Sequence, residues 1–133
     1  MDDDSTSGHQ ESPFKGRTGL ARVLNACRYS LHGFASAYRH EEAFRQEVWL
    51  AAVLLPLAFV FDVTRVERAA MLASVLFVLI VELLNSAIEA AVDRISLDRH
   101  RLSKRAKDAG SAAVFLSLVN VAVVWGLILL PRF

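Results

Sequence analysis

Stretches dense in charge alternate along the chain with stretches that carry none, and the lengths of the uncharged stretches predict its elements. Residues 1–18 are polar and rich in Ser, Gly and Asp. They hold too little apolar surface to order themselves and are expected to form a disordered acidic tail. The acidic start, Met1-Asp2-Asp3-Asp4, has no apolar run behind it and lacks the form of a secretory signal. From 20 to 38, Leu20, Val23, Leu24, Cys27, Leu31, Phe34, Ala35 and Tyr38 recur at helical spacing. Arg22, Asn25, Arg28, Ser30, His32 and Arg39 fall mostly elsewhere. The pattern predicts an amphipathic helix, expected to lie in a membrane interface because apolar blocks follow directly.

Residues 41–47 are dense in charge, and 48–61 carry none for fourteen residues. Fourteen helical residues span about 21 Å, short of a hydrocarbon core of roughly 30 Å. The first span is therefore expected over about 41–61, with its charged end at the water and Pro56 as a tolerated kink. Residues 62–68 read as a short polar turn. A second span is predicted at 69–92, a basic loop with short helical character at 93–108 and a third span at 109–130. Gly110-Ser111-Ala112-Ala113 suits close helix packing, and Trp49 and Trp125 suit interface anchors. The expected fold is an all-α membrane protein: residues 19–133 as one domain, with an interfacial amphipathic helix and three transmembrane helices.

Composition supports this reading. Of 133 residues, 54% are hydrophobic, and the excess sits in the three blocks. The formal charge of +1 says little, but its placement says more. The turn at 62–68 has two Lys or Arg and the end of the chain one, whereas the 93–108 loop has six. Positive-inside counting puts the N-terminus and that loop in the cytoplasm and the C-terminus outside. One cysteine, Cys27, excludes an intrachain disulfide and a cysteine metal cluster, and reads as a buried spare thiol.

Candidate chemistry gathers at 82–93, directly after the thirteen uncharged residues 69–81. Glu82, Asn85, Glu89 and Asp93 have offsets of 3, 7 and 11, which place them near one line of a helix that is otherwise apolar. Carboxylates at membrane depth usually face a bundle interior or a water-filled cavity. Glu41 and Glu47 end the first span, and Lys104, Arg105, Lys107 and Asp108 precede the third. Carboxylates beside lysines at a membrane surface suit a metal–nucleotide, with carboxylates for Mg²⁺ and lysines for phosphate. No GxxxxGK[ST] phosphate loop and no protein-kinase signature is present.

The stretch at 82–95, ELLNSAIEAAVDRI, resembles the signature of the small prokaryotic diacylglycerol kinase family. So do 41–47, with AFRQE at its core, and 104–113, KRAKDAGSAA. The resemblance runs from about Arg22 to Leu130. It implies a homotrimer of three-span subunits in the bacterial inner membrane, transferring the γ-phosphoryl of MgATP to the hydroxyl of diacylglycerol. By motif, Glu82 would be the proton acceptor, supported by Asn85, and Glu41 and Glu89 would hold the divalent metal. ATP contacts would come from Arg22, Tyr29, Glu41, Glu89, Asp98, Arg99, His100, Lys107 and Asp108. The lipid would meet Arg22, Ala43, Phe44, Arg45, Gln46, Glu47, Glu82 and Ser111. No nucleic-acid partner is implied. The chain departs from the best-known members at Leu31, His32, Ala35, Tyr38 and Glu42, which bear on the lipid more than on ATP. An undecaprenol kinase sharing the ATP site is the alternative; a non-catalytic membrane assembly or proton-conducting subunit is the remote one.

Overall fold

The computed structural model describes residues 19–95 and 100–130. Every regular element among them is helical: α1 Leu20–His40, α2 Glu42–Leu57, α3 Arg65–Ile95 and α4 Arg101–Leu129. The expected tail at 1–18 lies outside the described residues. Two units divide the chain, the first ending at Phe34 and the second beginning at Ala35.

In the first unit, Gly19 starts α1 with φ at 72°, a left-handed conformation that glycine adopts without strain. Its carbonyl accepts the N–H groups of Arg22 and Val23 at 3.1 and 3.4 Å. The helix carries the expected apolar stripe, and Leu20, Val23, Leu24, Leu31 and Phe34 are exposed on it. Cys27, expected to be buried, is exposed on the same helix.

In the second unit, α3 packs against both α2 and α4. Small residues make this possible. Ala51 and Ala58 leave room for Met71, Val75 and Trp125, and these close one core with Val63. Trp125 had suggested an interface anchor. It is instead 8% exposed, and its indole Nε1 donates to the Met71 carbonyl at 3.4 Å. Trp49 remains exposed.

Helix ends depart from the sequence expectation in three places. The first span was expected to reach 61, but α2 stops at Leu57. Pro56 lacks the N–H that would continue the ladder, and the chain tightens into turns, with Phe59 N–H on the Pro56 carbonyl and Val60 N–H on the Leu57 carbonyl, both 3.0 Å. Arg68 then reaches back, donating to the Ala58 and Phe61 carbonyls at 3.1 Å each, with its guanidinium 5.6 Å from the Phe59 ring centroid. Second, the polar turn at 62–68 is half helix. The Thr64 N–H donates to Glu67 Oε2 at 2.8 Å and the Glu67 N–H to Thr64 Oγ1 at 3.2 Å, a reciprocal capping box that starts α3 at Arg65. Third, α4 begins at Arg101, eight residues before the expected span. His100 Nδ1 accepts the Leu102 N–H at 3.1 Å there. Most of the 93–108 loop is therefore helix.

Two helices, α3 and α4, are long and apolar enough to cross a membrane. At 16 residues, α2 is shorter than a spanning helix. Replacing Thr64 with Ala removes one half of the capping box and is expected to lower stability by about 1 kcal/mol. Thermal unfolding in detergent micelles, read by circular dichroism, checks this; an unchanged midpoint would mean that the cap does not anchor α3.

Candidate functional site

The polar line predicted on α3 exists, and its deeper half is buried. Glu82 is 3% exposed and Asn85 9%, while Glu89 is half-buried and Asp93 exposed. Burial thus falls toward the C-terminal end of α3. The Asn85 amide nitrogen donates to Glu89 Oε1 at 3.4 Å, so Asn85 links the two carboxylates one turn on either side of it.

Glu47, on α2, is also buried, and Glu41 is half-buried in the break between α1 and α2, with extended backbone at φ −112° and ψ 109°. The charges of Glu41, Glu47 and Glu89 all bear on Glu82. No lysine or arginine among the described residues lies within salt-bridge range of these four carboxylates. Glu47 Oε2, Asn85 Oδ1 and Ser86 Oγ are buried without a hydrogen-bond partner. A patch of like charge with spare acceptors is unfavourable unless a cation or a donor meets it. Among the described residues, no group of three or more His, Cys, Asp or Glu forms a ready-made metal cage. The donor set instead fits a divalent ion that brings its own phosphate and water ligands and takes one or two carboxylates from the protein.

Gly110 lets α4 approach α3 at this level. A Cβ there would overlap Asn85 Oδ1 and lie 3.2 Å from Asn85 Cγ. Beyond Gly110 toward the start of α4 lie two ion pairs. Lys107 Nζ is 2.6 Å from Asp93 Oδ1, across from α4 to α3. Lys104 Nζ is 2.7 Å from Asp108 Oδ2, within α4. Each carboxylate holds its lysine ammonium above the usual lysine range.

The other residues singled out from the sequence are spread more widely. Arg22 and Tyr29 are exposed on α1 in the first unit. Phe44 is 2% exposed and belongs to the interior of the second unit, whereas Ala43, Gln46 and Ser111 are exposed. Arg45 donates to the Tyr38 and Arg39 carbonyls at 3.0 and 3.1 Å, satisfying carbonyls at the end of α1 that the helix itself cannot. His100 caps α4, and Asp98 and Arg99 lie outside the described residues. Sequence reasoning missed the Asp93–Lys107 pair, because the partners are on different helices, and the approach of Gly110 to Asn85, because the register of α4 on α3 is not written in either motif.

A family model described as prokaryotic diacylglycerol kinase matches residues 28–129. The chain is 64% identical over 119 residues to a diacylglycerol kinase of Pseudomonas aeruginosa, covering 90% of this chain and 97% of that one. It is 53% identical over 112 residues to one from Haemophilus influenzae, covering 84% and 95%. Against one from Escherichia coli K12 it is 43% identical over 116 residues, covering 87% and 95%. With its buried carboxylate line on a long apolar helix and a match over most of its length, the chain belongs to the prokaryotic diacylglycerol kinase family.

Proposed function

We propose that this chain phosphorylates the free hydroxyl of diacylglycerol with ATP, giving phosphatidic acid and ADP. The observation that carries the reading is Glu82: a carboxylate 3% exposed on an apolar helix, in a chain whose relatives bear the name diacylglycerol kinase. In the reaction the lipid oxygen attacks the γ-phosphorus and the bond from that phosphorus to the β-bridging oxygen breaks. The hydroxyl proton passes to the Glu82 carboxylate. Phosphoryl transfer is mostly positioning and charge neutralisation, so one well-placed base and a set of charged groups suffice. Asn85 orients Glu82 and Glu89 relative to each other. Glu41 and Glu89 would hold the Mg²⁺ that accompanies ATP, which supplies neutralisation of the phosphate charge. Lys107 and Asp108 contact the nucleotide, together with the 98–100 segment. Ala43, Phe44, Arg45, Gln46, Glu47 and Ser111 border the acceptor lipid.

The same reading makes α2, with the turn after it, a third span, and puts the N-terminus and the α3–α4 connection in the cytoplasm of a bacterial inner membrane. The count of basic residues supports this orientation. The same reading includes assembly into a trimer, and α4 leaves an apolar surface for lipid or for other subunits. Phe115, Leu116, Val119, Val123 and Leu127 are exposed on it.

The test is direct. Purified protein in mixed micelles receives ATP, Mg²⁺ and either diacylglycerol or undecaprenol, and the phosphorylated lipid is measured. Phosphatidic acid is expected as the favoured product. Faster phosphorylation of undecaprenol would replace the acceptor and keep the site, and absence of ATP turnover with either lipid would overturn the reading.

A further inference from the structure

Among the described residues, a pair of opposite charges joins the end of α3 to the start of α4. Asp93 stands in the last turn of α3 and Lys107 two turns into α4, with Nζ and Oδ1 2.6 Å apart. Unlike Lys104–Asp108, which joins neighbouring turns of one helix, this pair depends on how two helices are set against each other. Helix stability does not account for Asp93, because the negative end of the α3 dipole disfavours an anion in the last turn. Lys107 is the group that offsets it.

We infer that Asp93 is a positioning residue: it holds the Lys107 ammonium at the open end of the carboxylate line, ready for a nucleotide phosphate. The inference rests on the proposed reading, in which Lys107 meets ATP. The chemistry of the two groups supports it. A lysine ammonium rides on a flexible stem and has three donors. One carboxylate occupies one donor, fixes the stem and leaves two donors for phosphate. The charge of Glu89 also bears on Lys107, so the held ammonium lies within the field of a proposed metal-holding carboxylate. Both partners are about half exposed, so the pair is weak, and an arriving phosphate shares the ammonium instead of having to break a buried contact.

The experiment compares Asp93→Asn, Asp93→Glu, Lys107→Met and the double variant Asp93→Asn/Lys107→Met as full-length protein in mixed micelles with diacylglycerol and MgATP. Asp93→Asn is expected to raise KM for ATP about three- to fivefold, the reach of an exposed pair, with a smaller change in kcat and none in KM for the lipid. Asp93→Glu restores the value, and Asp93→Asn adds nothing once Lys107 is Met. If Lys107→Met raises KM for ATP while Asp93→Asn does not, the positioning role is wrong and the reading of Lys107 stands. If Lys107→Met leaves KM for ATP unchanged, Lys107 does not meet the nucleotide and the inference falls, while the kinase reading stands or falls on turnover alone. An Asp93→Asn effect confined to the melting temperature makes the pair a plain staple between helices and overturns the inference. Asp93→Ser carries the same comparison if Asp93→Asn does not fold.

Discussion

Glu82→Gln is expected to lower kcat by about 10²- to 10⁴-fold, the range over which a positioned general base acts, while KM for ATP changes little. The substitution keeps the shape of the side chain and removes its ability to accept a proton. It also takes one charge out of a group of carboxylates that bear on one another. The variant should therefore fold at least as well as the parent, and the lost rate would belong to the chemical step. Steady-state assays in mixed micelles, with the melting temperature measured alongside, separate the two effects. Normal turnover by a properly folded Glu82→Gln protein would remove Glu82 from the reaction and leave it as a polar contact between helices.

Gly110→Ala is expected to lower stability by roughly 1–3 kcal/mol, the usual effect of forcing a methyl group into a filled site, and to lower kcat as well. The new Cβ would overlap Asn85 Oδ1. Asn85 can yield only by giving up its position between Glu82 and Glu89, including the 3.4 Å hydrogen bond to Glu89. The check is a double-mutant cycle. In an Asn85→Ala background there is no side chain to displace, so the Gly110→Ala penalty on stability should largely vanish. A penalty that persists there would place the strain in the backbone of α4, away from Asn85.

The general plan of four helices was legible, because uncharged blocks of thirteen to twenty-two residues and a stripe at helical spacing have few other outcomes. Their ends were less so, for physical reasons that differ. Thr64 and Glu67 form a capping box whose spacing is visible in the chain, but the density of charge at 62–68 suggests a turn. The charged start of α4 reads as a loop with only short helical character, although residues 101–108 contain no helix breaker. Charge there reports contact with water and says nothing against a helix. Pro56 was read as a kink, whereas the helix ends one residue beyond it, where Arg68 is available to satisfy the freed carbonyls. Trp125 could not be placed from its own position, because its burial depends on Ala51 in α2 and Ala58 just after it. Within the site, the line from Glu82 to Asp93 followed from spacing alone. Glu41, Glu47 and residues 104–108 are grouped with that line on the sequence alone, whereas the pairing of Lys107 with Asp93 and the approach of Gly110 to Asn85 required the fold.

One property of α3 bears on where the substrates must go. The helix has neither proline nor glycine across its 31 residues, so it offers no natural joint. Glu82 and Glu89 are seven residues apart, which fixes about 10 Å between them along the axis, and Asp93 lies about 16 Å from Glu82. The helix is a ruler with graduations that cannot slide. In the proposed reaction the acceptor hydroxyl and the γ-phosphate must both come to the Glu82 mark, the one rising from the lipid and the other descending from the water. Bilayer thickness then becomes a variable of the reaction, since it decides how far below the headgroups that mark lies.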